Sequence, residues 1–75
     1  MNEIKYSNEV EIQVQLFDAQ LKFNLKKGED EIGESTTIIL SPQHMKVLKY
    51  MLQDAVIRYE EQFGEITIPE MSGKN

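Results

Sequence analysis

The sequence predicts a small α+β domain in which an antiparallel sheet of three strands is packed by one long C-terminal helix, in the order β-β-β-α. Two observations predict it. Apolar and polar side chains alternate through residues 9–17 and again through 21–26, whereas apolar side chains recur at helical spacing through 42–63. The connection between the alternating segments is short, which makes them antiparallel neighbours. Residues 1–69 are expected to form a single domain, and residues 70–75 a disordered tail.

The first two predicted strands each have one apolar face. The first, within EVEIQVQLF at 9–17, and the second, from Leu21 to Lys26, point alternate side chains to one side: Val10, Ile12, Val14, Leu16, Leu21, Phe23 and Leu25. The opposite face carries acids and amides on the first strand and mainly lysines on the second, which is typical of a solvated surface. TTIIL at 36–40 predicts the third strand through its β-branched residues.

Two segments are less regular. KGEDEIGES at 27–35 predicts an acidic loop, and its carboxylates lack the spacing of a helix-loop-helix calcium site, so no metal is expected there. EITIP at 65–69 is compatible with a fourth, short edge strand that ends at Pro69, because proline cannot donate to a strand ladder.

The helix has a well-marked start and end. Ser41 is the predicted N-cap, Pro42 occupies the first helical position, and Gly64 is the predicted C-cap after Phe63. At 100° per residue, one broad apolar sector is predicted to face the sheet; its members are Met45, Leu48, Met51, Leu52, Ala55, Val56, Tyr59 and Phe63. A second, narrower stripe cannot reach the same sheet; it is either a set of scattered surface apolar residues or, as we favour, a surface for a helix-mediated dimer or a partner. This candidate interface comprises Val47, Tyr50, Asp54, Ile57 and Glu61.

Composition narrows the possible functions. A chain of 75 residues with no cysteine and one histidine has no disulfide and no thiolate metal site, so self-association is the remaining way to stabilise a small core. The formal net charge of −5 opposes unaided binding to nucleic acid or an anionic membrane. No apolar run is long enough to span a membrane and no signal peptide is visible, which predicts a cytoplasmic protein.

Residues that could carry chemistry are few. Ser41 and His44 are three positions apart, but a serine that caps a helix directs its hydroxyl to backbone N–H groups and is poorly placed for nucleophilic attack. Glu60 and Glu61 diverge on the helix surface, and no phosphate-binding glycine motif is present. The protein is therefore expected not to be an enzyme and to use no cofactor.

Three short motifs carry a resemblance to a known family. They are Tyr6-Ser7-Asn8 at the start of the first strand, Ser41-Pro42-Gln43-His44-Met45-Lys46 at the start of the helix, and YEEQFGEI at 59–66 around its end. In these motifs the chain resembles the bacterial family catalogued as domain of unknown function 3467, over about residues 6–66. The resemblance supports the fold and implies no catalytic residue, substrate or cofactor.

The function expected from these features is that of a non-enzymatic protein-interaction module, homodimeric or larger, that also binds another protein. The alternative is an acidic inhibitor, encoded by a phage or mobile element, of a host nuclease or defence protein, which the net negative charge would suit. A holdase that takes extended chains on its sheet edges is a third, less favoured hypothesis.

Overall fold

The computed structural model describes residues 3–29 and 31–69, so the predicted tail at 70–75 lies outside the described residues. The chain forms three strands, β1 (Glu9–Val14), β2 (Ala19–Lys26) and β3 (Ile32–Leu40), followed by one helix, α1 (Pro42–Phe63). The strands form an antiparallel sheet in the order β1-β2-β3. The predicted fold class and its order β-β-β-α are confirmed.

The register of the sheet confirms the predicted alternation. Ile12 lies opposite Leu21, which lies opposite Ile38, so these apolar residues of the three strands share one face, whereas Ile39 lies opposite Gln20 on the other face. β1 is shorter than predicted, because the chain turns at Gln15, whose N–H donates to the carbonyl of Asp18 over 2.8 Å. Leu16 and Phe17 therefore lie at the exposed tip of the hairpin, and the placement of Leu16 on the strand face was wrong.

The predicted loop at 27–35 is also shorter in the structure. β3 begins at Ile32, four residues before the predicted third strand, and its pairing with β2 shifts between Leu25 and Lys26, where Gly33 is the extra residue. Such a bulge lets the strand continue through a segment without regular alternation, which is why the pattern alone predicted a loop. The prediction that residues 32–35 belong to the loop was therefore wrong.

Both ends of α1 are capped as the sequence predicts. The Oγ of Ser41 accepts a hydrogen bond from the backbone N–H of His44 over 3.1 Å, and Pro42 begins the helix. Gly64 follows its last residue with φ of 103° and ψ of 168°, a conformation open almost exclusively to glycine, and its N–H donates to the carbonyl of Glu60. The helix of 22 residues is thus about 33 Å long.

The segment after the helix does not join the sheet. Residues 64–68 form no strand, and among the described residues the sheet has three strands, so the fourth edge strand proposed for 65–69 is not formed. The backbone N–H of Ile66 donates instead to the carboxylate of Glu60 over 3.0 Å, which holds this segment against the end of α1.

Candidate interaction surface

The apolar sector of α1 is mostly open to solvent. All 22 residues of α1 are described and none of them is buried. Met45 and Leu48, in the first two turns, are half-buried, whereas Leu52 is 56% and Phe63 65% exposed. The prediction that this whole sector is covered by the sheet of the same chain was wrong. The helix starts at the end of β3, and its contacts with the sheet are few and mainly with that strand.

The apolar face of the sheet is open as well. Ile12 and Val14 on β1 are 58% and 68% exposed, and Ile38 on β3 is 47% exposed. Among the described residues, the buried apolar side chains are those of Ala19 and Leu21, both on the central strand β2. A single chain therefore leaves two large apolar surfaces uncovered, one on the sheet and one on the helix.

The two open surfaces meet in a groove. It has a volume of about 470 Å³ and opens widely to solvent. Ile12 and Leu21 form its sheet side, and the helix side contains Met45, Leu48, Lys49, Leu52, Gln53 and Val56. Six of these eight side chains are apolar, so the groove is suited to another apolar surface and offers few polar groups to a small ligand.

The candidate interface predicted from the sequence lies on the opposite side of α1. Val47, Tyr50 and Ile57 are each about half exposed, at 51%, 54% and 48%. Asp54, in the same stripe, accepts a hydrogen bond from the Nε of Arg58 over 2.9 Å, and the Nζ of Lys49 lies 5.3 Å from the centre of the Tyr50 ring. Glu61 is also exposed. The stripe is accessible, as the prediction requires.

The polar face of the sheet contains a buried residue that the sequence pattern did not indicate. Asn24, on the central strand β2, is fully buried. Its Nδ2 donates to Glu9 Oε1 over 2.9 Å and to Glu11 Oε2 over 3.1 Å, while its Oδ1 accepts from Ser35 Oγ over 2.7 Å. Since Glu9 and Ser35 are its direct partners on the neighbouring strands, this amide joins all three strands. Alternation placed Asn24 on a solvated face, and only the register reveals the cluster.

The Tyr6-Ser7-Asn8 motif extends the hairpin beyond β1. The side-chain amide of Asn8 accepts from the N–H of Lys26 over 2.9 Å and donates to the carbonyl of Lys26 over 3.2 Å. It thereby reproduces the pair of hydrogen bonds that a strand residue would make. The hydroxyl of Ser7 donates to the carbonyls of Glu9 and Asn24. This motif therefore has a structural role.

Within residues 3–29 and 31–69, no group of three or more histidine, cysteine, aspartate or glutamate side chains is placed to hold a metal ion. The hydroxyl of Ser41 is engaged by the backbone of His44, as a cap. In the same described part of the chain, no helix is long and apolar enough to cross a membrane.

The fold and its surfaces define a small α+β domain, a three-stranded antiparallel sheet followed by one long helix that leaves its apolar sector open. The chain belongs to the family described as "Protein of unknown function (DUF3467)", whose family model matches residues 1–68. This confirms the resemblance seen in the three motifs. No curated protein and no solved structure matches the chain.

Proposed function

We propose that the protein is a non-enzymatic interaction module that associates with itself and binds another protein. The observation that carries this proposal is the uncovered apolar surface. The chain exposes 7009 Å², whereas a folded monomer of 8.7 kDa is expected to expose about 4,700 Å². Its radius of gyration is 14.8 Å, against about 11 Å for a self-contained domain of this length. Association with other chains would cover the excess exposed area.

Energetics favour the same conclusion. Buried apolar area contributes about 25 cal/mol per Å² to folding, and the entropy of ordering the chain opposes it. With Ala19 and Leu21 as the buried apolar side chains of the described residues, a single chain has little with which to offset that entropy. Folding and association are therefore expected to be coupled, as in obligate oligomers.

The first prediction concerns mass and thermal stability. Light scattering during size-exclusion chromatography at micromolar concentration is expected to give at least twice the chain mass of 8.7 kDa. The melting temperature should rise with protein concentration, because association stabilises the folded state by mass action. A folded monomer whose melting temperature is independent of concentration would contradict the proposal.

The second prediction concerns the stripe formed by Val47, Tyr50 and Ile57, which lies opposite the apolar sector and would remain accessible after that sector is covered. We assign this stripe to the other protein. The double variant Tyr50→Glu/Ile57→Glu is expected to keep the oligomer mass and to lose any protein that co-purifies stoichiometrically with the wild type from its native cells. Lys46→Glu, which makes the same change in net charge at an exposed position outside the stripe, serves as the matched control. An identical set of co-purifying proteins in wild type and double variant would count against this assignment.

The acidic-inhibitor hypothesis is supported by the small size of the chain and its net charge of −5. Two of the acids, Glu9 and Glu11, are engaged with Asn24 within the sheet, and the interaction module is therefore the preferred proposal.

A further inference from the structure

The charges along α1 are arranged against its own dipole. Lys46 and Lys49 lie in its first half and Glu60 and Glu61 near its end, and there is no acidic residue in the first turn and no basic residue in the last. A helix is stabilised by the opposite arrangement, with acids near the N-terminus and bases near the C-terminus. The observed order costs the isolated helix some stability, which a neighbouring element with the opposite order of charges would offset.

A second α1 running antiparallel supplies that contact. At 100° per residue, Lys49 and Glu60 lie within about 20° of each other around the helix, at one edge of the apolar sector. When two identical helices face each other antiparallel through this sector, the same edges meet. Lys49 of each helix then lies beside Glu60 of the other, and the two helix dipoles are opposed. A parallel pair would instead bring opposite edges of the sector together, so that the edges carrying Lys49 and Glu60 on the two helices would not meet.

The uncovered area fits a pair of identical chains. An excess of about 2,300 Å² per chain gives about 4,600 Å² for two, within the range of about 2,000–5,000 Å² that obligate homodimers bury. If the nine residues outside the described ranges are assigned the surface of an unfolded chain, about 1,450 Å², the excess for two chains is still about 2,500 Å². One further copy is thus sufficient to cover the open surfaces.

We propose that the groove between the sheet and α1 receives the α1 helix of a second copy of this chain, so that two α1 helices pack antiparallel between two sheets. The inference rests on the proposed self-association and adds its site, partner and orientation. The contact is self-complementary under a two-fold axis, because each chain contributes both a groove and the helix that fills the other groove. Leu52 and Val56, which line the groove, lie near the centre of the pair.

A double-mutant cycle on Lys49 and Glu60 tests the orientation. Sedimentation equilibrium at low salt is expected to show about tenfold weaker association for Lys49→Glu and for Glu60→Lys, and recovery to near the wild-type affinity when both are combined. Glu60→Lys also removes the hydrogen bond that the N–H of Ile66 donates to Glu60. The cycle corrects for this loss, because it occurs in both the single and the double variant. The recovery should shrink at high salt. Lys46→Glu with Glu61→Lys is the matched control, because these residues lie farther around the helix from the sector, and no coupling is expected.

Cysteine pairs give a second, independent readout, since the chain has no cysteine of its own. Met45→Cys and Phe63→Cys chains produced together are expected to form mixed disulfide-linked pairs, and neither chain alone should link to itself. Self-linked Met45→Cys pairs would overturn the antiparallel arrangement. So would the absence of coupling between Lys49 and Glu60 in a protein that does associate. Either result would leave the proposed interaction module intact. A monomeric wild type would overturn the proposed function itself.

Discussion

Leu52→Asp is expected to convert the assembled protein into a largely unassembled one, with a dissociation constant at least about 10²-fold higher. Leu52 lies in the middle of the apolar sector, is 56% exposed in the single chain and lines the groove. Fully covering an exposed leucine contributes about 1.5–3 kcal/mol; about half of that remains to be gained at Leu52, and a symmetric pair loses it twice. Each 1.4 kcal/mol corresponds to a factor of ten in affinity, and the introduced carboxylate adds a desolvation cost.

The measurement is sedimentation equilibrium, with far-ultraviolet circular dichroism recorded on the same samples. Because folding and association are expected to be coupled, the helical signal of Leu52→Asp should fall at concentrations where the wild type is fully folded. Ile57→Asp is the matched control: it replaces another half-exposed apolar residue by the same charge, about 140° around the helix from Leu52 and outside the groove. Wild-type affinity in Leu52→Asp would show that the apolar sector is not the contact surface.

Asn24→Asp is expected to destabilise the sheet by about 3–5 kcal/mol, the cost typical of an uncompensated buried charge. The substitution keeps the shape of the side chain but replaces Nδ2, which donates to Glu9 and Glu11, by a carboxylate oxygen. Three carboxylates would then lie together around a site that is fully buried in the wild type. For a domain of this size such a loss approaches the whole free energy of unfolding.

Urea or thermal unfolding at neutral pH measures this effect. Gln13→Glu, which adds the same charge on the same face of the sheet at an exposed position, is expected to change stability by less than about 0.5 kcal/mol. The difference between Asn24→Asp and wild type should narrow below about pH 4, where carboxyl groups become neutral. Equal stability of the two variants would show that the Asn24 cluster contributes little.

Local patterns were sufficient for the elements that depend on local chemistry. Ser41, Pro42 and Gly64 marked the ends of α1 because capping involves only neighbouring backbone groups. Alternation likewise predicted which side chains of β1 and β2 lie on the apolar face of the sheet. Where the alternation is interrupted, at the Gly33 bulge and the Gln15–Asp18 turn, the strand boundaries were misplaced.

The candidate site depended on contacts between distant parts of the chain. The sequence identified the stripe at Val47, Tyr50 and Ile57 as unpartnered by assuming that the broader sector was already covered. Periodicity shows which side chains share a face of a helix, but it carries no information about what lies against that face. The structure leaves the broader sector open too, and it is this surface that now carries the proposed dimer.

The sequence alone predicted the order of the elements, the ends of the helix and the family. Each of these can be recognised from short motifs whose residues are close together in the sequence. The open groove beside Leu52 and the burial of Asn24 follow from strand register and from the direction in which α1 leaves β3. Those are properties of the assembled backbone, and they bring together residues separated by 11 to 40 positions, such as Asn24 with Ser35 and Ile12 with Leu52.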